Sequence, residues 1–268
     1  MHEIDFHCHL DDDSFDADRA GAVTECFEAG FSALVTVADP YDADSESRSL
    51  EALAGHPRVF LMAAAHPHNA DRYTPEVEQR LMRLLDHPRA IGLGEAGLDF
   101  YYDLSLRENQ LRVFERQIAI AAERGLPLVI HSRRAEALVL ETLERMKFSG
   151  HVVFHCYTGE PAAAREILRR GYDISFSGII TFRNAAPLRE IAAKVPLGRF
   201  FTETDSPYLS PEPFRGRPNR PLRVRHVVEA LARLHELEPQ RITAAVSRRL
   251  EEKFGVPARA AGDSGGEA

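Results

Sequence analysis

The stretch AIGLGEAGLDFYYDLSLRENQLRVFERQIAIAAERGLPLVIHS, residues 90–132, decides the fold. It opens on a glycine-broken apolar run (90–97) and closes on a second one, LPLVIHS (126–132). Between them Leu106, Gln110, Phe114, Gln117, Ile118 and Ala121 recur at three- and four-residue spacing, the period of one helix face, and Gly125 supplies a stop. Strand, helix and strand in succession make one βαβ unit.

The same rhythm runs through the chain. Strands are expected at 3–9, 32–38, 58–66, 90–97, 126–132, 151–156, 172–178 and 199–205. Helices are expected at 17–30, 45–55, 74–86, 107–124, 134–147, 160–170, 184–194 and 222–235, with another near 239–253. Eight such units in about 255 residues predict an α/β fold, a single (β/α)8 TIM barrel over residues 1–256. A doubly wound open sheet is the competing architecture. SPYLSPEPFRGRPNRP (206–221) reads as a proline-rich loop after the eighth strand, and PARAAGDSGGEA (257–268) as a disordered tail.

Composition narrows the function. With 44% hydrophobic and 28% charged residues among 268, the chain is ordinary globular protein. A net charge of −8 argues against a surface coated for nucleic acid, though not against a local basic site. Cys8, Cys26 and Cys156 are too few and too scattered for a disulfide framework. MHEIDFHCHL lacks the basic and apolar regions of a signal peptide, and the apolar runs are too short to span a bilayer. A cytoplasmic protein with no membrane partner and no obligate protein partner is the expectation.

In such a barrel, catalytic groups sit at the C-terminal ends of the strands. Those ends carry His7 and His9, then His66, Glu95, His131, His155, and finally Glu203 with Asp205. His7 and His9, two apart on a strand, share a face, while Cys8 and Cys156 point into packing. A single buried histidine is more often a hydrogen-bonded core residue. So many imidazoles and carboxylates on one face would be costly to bury unless a cation paired with them. Mixed nitrogen and oxygen donors suit zinc or manganese, and magnesium less well. Four histidines with Glu95 and Asp205 exceed what one tetrahedral ion needs and suffice for two ions sharing a carboxylate. Many two-metal barrel hydrolases bridge their ions with a carbamylated lysine. None of Lys147, Lys194 and Lys253 lies at a strand end, which leaves Glu95 as the bridge.

FHCHL, GLGEAGLDFYY, PLVIHSRRA, FHCYTG, SGIITFRNA and ETDSPYLSPEPFRGRPNRP stand in the order and spacing of the TatD-like metal-dependent deoxyribonucleases. The chain resembles that family from about Ile4 to Phe254. It departs from the family in reading AAAHPHNA where an apolar-glycine pair often precedes HPH, and in Arg249 where an asparagine is common. The resemblance implies a TIM barrel that hydrolyses nucleic-acid phosphodiesters with divalent metal (zinc, manganese or magnesium). It places the metal positions on His7, His9, Glu95, His131, His155 and Asp205.

On that basis DNA is the expected substrate, with 3′–5′ exonuclease action one form of the activity. His7, His9 and Asp205 are assigned to one ion, His131 and His155 to the other, and Glu95 to both. Asp205 and Glu95, with Glu203 either contacting the reaction or buried behind it, form the catalytic set. Arg133, His66, His68, Tyr157, Asn219 and Arg215 are the candidates for holding substrate. Arg215 belongs to a run with Arg217, Arg220, Arg223 and Arg225 that is either a solvated face or a track for a phosphate backbone. Tyr101, Tyr102, Phe182 and Phe214 are candidates for stacking bases. An amidohydrolase, lactonase or aminoacyl-tRNA deacylase could use the same centre. A scaffold without turnover would be expected to show a broken ligand set.

Overall fold

A computed structural model describes residues 2–257; Met1 and residues 258–268, nearly all of the expected tail, lie outside the described residues. Eight parallel strands form one sheet in strict chain order. They are β1 (Ile4–Cys8), β2 (Ala33–Ala38), β3 (Val59–Ala63), β4 (Ala90–Asp99), β5 (Leu128–Arg133), β6 (Val152–Phe154), β7 (Asp173–Phe176) and β8 (Phe200–Thr202). Helices α1 (Arg19–Glu28), α2 (Ala43–Gly55), α3 (Pro75–Leu85), α4 (Arg107–Arg124), α5 (Glu136–Arg145), α6 (Pro161–Arg169), α7 (Ala186–Ala192) and α8 (Val224–Leu234) follow them in turn. A ninth, α9 (Pro239–Phe254), packs on α8. This is the TIM barrel expected from the sequence.

β1 and β8 close the barrel without a regular ladder. Thr202 Oγ1 donates to the Ile4 carbonyl (3.2 Å), Asp205 N to His7 O (2.9 Å) and His9 N to Ser206 O (2.7 Å). Between them Thr204 N donates 2.8 Å to Asp5 Oδ1, so a buried carboxylate stands in for a backbone acceptor. The segments carrying His7, His9 and Asp205 are thereby stitched to one another.

Several strands differ in length from expectation, for local reasons. β3, β6 and β8 end early, at Ala63, Phe154 and Thr202. Cys156 (φ 44°) and Asp205 (φ 56°) are left-handed, a conformation that ends extended pairing. His66 instead caps a short 3-10 helix (Pro67–Arg72), its Nδ1 accepting from His68 N at 3.2 Å. β4 runs two residues further than expected, to Asp99. It does so because Gly94 and Gly97 let it press onto β5. A Cβ on Gly94 would lie 2.5 Å from Val129 Cβ, and one on Gly97 would collide with the His131 carbonyl.

The face of α4 read from its spacing is buried from Gln110 to Ala121, the two glutamines included, whereas Leu106, which opens that spacing, precedes the helix and is exposed. Gln117 Nε2 donates to Ala65 O (3.0 Å) while its Oε1 accepts from Ala65 N (2.7 Å). Gln110 accepts from Asp99 N (2.8 Å) and donates to the carbonyls of Asp99 and Ser105. One helix thus fixes the chain just past β3 and at the end of β4. At the opposite rim Phe6 stacks on Phe201 at 4.2 Å, and Phe254 from α9 meets Phe6 edge-on at 5.1 Å. Among the described residues no helix is long and apolar enough to cross a membrane.

Candidate metal centre

Glu95 stands at the middle of the C-terminal mouth. Its Oε1 lies 3.7 Å from His7 Nε2 and 3.5 Å from His9 Nε2. Its Oε2 lies 2.7 Å from His155 Nε2, 3.2 Å from His131 Nδ1 and 3.5 Å from His66 Nε2. Asp205 Oδ1 approaches the first group, at 3.3 Å from His9 Nε2 and 3.7 Å from His7 Nε2. The two Nε2 atoms of His7 and His9 converge to 3.4 Å, and the rings of His7 and His155 stack at 4.2 Å. Each oxygen of one carboxylate therefore serves a different set of imidazoles.

The electrostatics of the cluster favour positive charge. Burial penalises an ionised Glu95, yet His155, His66 and His131 hold its carboxyl well below the usual range. Burial likewise opposes a charged imidazole at His9, but Asp205, Glu95 and Asp11 raise it to about 10. His155 is raised well above its ordinary value by Glu95 and Glu203, against its burial. Burial, with His131 and His68 adding to it, pushes His66 down to about 4 despite Glu95. Protons are drawn in where positive charge is wanted. His7, His9 and Glu95 form one set whose donor atoms all lie within 4.8 Å of one another, and Glu95, His131 and His155 form another. Imidazole and carboxylate donors this close, His7 and His9 meeting Glu95 and Asp205 through Nε2, fit a divalent cation.

Behind the mouth lies Glu203, fully buried. It accepts from Ser175 Oγ (2.6 Å) and from Cys156 N (2.7 Å), and its Oε1 stands 3.4 Å from His155 Nδ1. Asp99 is the residue that strand-end reading missed. Its Oδ2 lies 3.0 Å from His131 Nε2 and 2.8 Å from His68 Nε2, which keeps its carboxyl far below the ordinary range although burial opposes this. The signal was present: Glu95, Gly97 and Asp99 alternate along one face of β4.

A cavity of about 930 Å³ opens over these groups. His66, His68 and Arg133 line it, along with Tyr102, Phe182 and Tyr208. Arg133 lies over the rings of Tyr101 (4.4 Å) and Tyr102 (4.8 Å) and makes no ion pair among the described residues. Arg215 sits behind that wall, 3.7 Å from the Phe182 ring centroid. Other expected substrate groups are turned away. Tyr157 is buried with its hydroxyl donating to Glu160 O at 2.7 Å. Asn219 is buried, its amide donating 3.0 Å to Thr204 O and bracing the loop that carries Asp205. Arg220 pairs with Glu25 and Asp18, each at 3.0 Å, and Arg225 with Glu3 at 3.0 Å. The arginine run of the sequence is not one surface.

Comparison with known proteins identifies the family. A family model described as TatD related DNase matches residues 4–255. The chain is 35% identical to an uncharacterized metal-dependent hydrolase, TatD, of Mycobacterium tuberculosis, covering 94% of this chain and 98% of that one. It is 31% identical to a protein of Enterobacter lignolyticus named 3′-5′ ssDNA/RNA exonuclease TatD, covering 94% and 99%. The crystal structure of YjjV, a TatD homolog of Escherichia coli K12, superimposes with a TM-score of 0.86 at 27% identity over 95% of this chain and 98% of that one.

Proposed function

The chain belongs to the TatD family of metal-dependent hydrolases, and on that premise we propose that it is a nuclease, hydrolysing DNA phosphodiesters from an unpaired 3′ end. The observation that carries the reading is the Glu95 carboxylate, whose two oxygens face two groups of imidazoles beneath an arginine without a carboxylate partner. The name of the Enterobacter relative supports the direction of cleavage.

His7, His9 and Asp205 would hold one divalent ion, His131 and His155 a second, with Glu95 shared between them. Zinc or manganese suits these donors better than magnesium. Bound there, such ions supply Lewis-acid stabilisation of phosphoryl charge and the activation of water. The chain's own groups do the rest. Asp205, kept ionised by His9 against its burial, orients the attacking water and accepts its proton. Glu203, too deep to meet substrate, fixes the His155 ring, a common task for a carboxylate behind a ligating histidine. Arg133 grips a phosphate oxygen through guanidinium donors that nothing else occupies. His66 and His68 complete the same wall.

A second reading keeps the centre and changes the substrate. Asp11, Asp12, Asp13, Asp39 and Asp42 make one side of the cavity acidic. A polyanion would avoid that side and an ammonium would seek it, as on an aminoacyl-tRNA. The deciding experiment is nucleotide release from 3′-labelled single-stranded DNA with added manganese or zinc, with Asp205→Asn as control. Release by the wild type alone supports the nuclease. No release from metal-loaded protein, with cleavage of an aminoacyl ester instead, transfers the centre to the second reading.

A further inference from the structure

Among the described residues seven large apolar side chains are exposed, and four of them lie in one loop after β4: Tyr101, Tyr102, Leu104 and Leu106. Tyr101 is 48% and Tyr102 51% exposed, although both rings sit in a fixed frame. They meet edge to face at 5.0 Å. Arg133 lies over both, and Arg134 lies over Tyr101 at 4.7 Å. The backbone beneath is pinned as well. Asp99 Oδ1 accepts from Tyr101 N (2.9 Å) and Tyr102 N (2.8 Å), while its other oxygen contacts His131 and His68. The Tyr102 ring stands 5.5 Å from that of His68 and reaches the cavity. One carboxylate thus ties an exposed aromatic pair to the centre at a set position.

Exposed aromatic faces braced by guanidinium are costly to leave bare and well suited to a flat, polarisable ring. Together with our nuclease reading, on which the inference rests, we propose that Tyr101 and Tyr102, clamped by Arg133, are a stacking platform for one unpaired nucleobase of the nucleotide beside the scissile phosphate. A base inside a duplex has both faces covered by its neighbours, so the platform takes a base only where a face is free, as in an unpaired strand or at a strand end. It is sequence-tolerant, because every base offers a π face.

The test compares two single-stranded oligonucleotides that differ only in a terminal adenine or an abasic tetrahydrofuran residue. The wild type should favour the adenine substrate by about tenfold to a hundredfold in kcat/KM, mostly through KM. Tyr101→Ala/Tyr102→Ala should reduce that preference to near unity, and Tyr101→Phe/Tyr102→Phe should keep it. An unchanged preference in the alanine variant overturns the platform. So does a switch in oligomeric state of that variant with the preference intact, which would make the patch a contact between copies of this chain. Binding of a 2-aminopurine oligonucleotide, read by fluorescence quenching, separates this failure from that of the nuclease reading. Quenching by the wild type but not by the alanine variant upholds the platform even if no strand is cut, and equal quenching by both removes it.

Discussion

The two rims of this barrel each bury carboxylates, and they neutralise them differently. At the N-terminal rim Asp173 is fully buried and receives Arg199 Nε (2.7 Å) and Arg249 Nε (2.6 Å), with His151 Nε2 at 3.1 Å. Guanidinium is charged at any pH a protein survives, so this rim carries its own permanent cations. At the C-terminal rim Glu95 and Asp205 face imidazoles alone. Imidazole can give up its proton and donate a lone pair to a metal ion instead, so the positive charge at this rim is exchangeable. The difference teaches which end is scaffold and which is chemistry. The first carries its own fixed cations, and the second is where we propose that divalent cations bind.

Exchanging groups between these roles should break the contrast in a graded way. The largest effect is expected from Asp205→Asn, which should lower nucleotide release by about 10²–10³-fold or more while leaving the thermal midpoint close to wild type. Asp173→Ala should do the reverse. It leaves two guanidiniums facing a buried void, and denaturant titration should show a loss of about 3 kcal/mol with metal-loaded turnover unchanged.

The pH dependence of that rim has a definite sign. Burial favours a neutral Asp173, but His151, Arg249 and Arg199 bring its carboxyl down to about 2 from an ordinary 3.8. A lowered folded-state value means stability that is present above about pH 4 and lost as pH falls towards 2. Unfolding free energies of wild type and Asp173→Asn, measured between pH 6 and 2, should therefore converge by about 2 kcal/mol in the acid.

Smaller effects sharpen the comparison. Glu203→Gln should weaken metal affinity by about 10–100-fold, measured with a competing chelator, because only the orientation of His155 is loosened. Smallest of all, Arg133→Ser should flatten the salt dependence of oligonucleotide binding by about one ion. Arg220→Ser should leave it unchanged, since Glu25 and Asp18 already occupy that side chain.

Much of this was legible in the sequence. Short apolar runs alternating with amphipathic segments located eight strands, because each strand is buried on both faces and each helix on one. Placing histidines and carboxylates at strand ends located the residues that meet at Glu95. Asp99 escaped because glycine usually ends a strand, whereas Gly97 extends this one by letting it press onto β5. Loops were the other blind spot. Arg220 and Arg225 are close in sequence, yet one reaches α1 and the other the start of β1. Asn219 and Tyr157 neighbour the site in sequence and turn inward to satisfy carbonyls. Which way a loop side chain points depends on partners far along the chain, and no local pattern records them.

Glu95 is proposed to stand between two cations, and the direct test is bound divalent metal per chain, by inductively coupled plasma mass spectrometry, in wild type and Glu95→Ala. About two ions are expected in the wild type and at most about one in the variant, which should remain folded but inactive. Equal metal content in the two proteins, or full nucleotide release by Glu95→Ala, would contradict it.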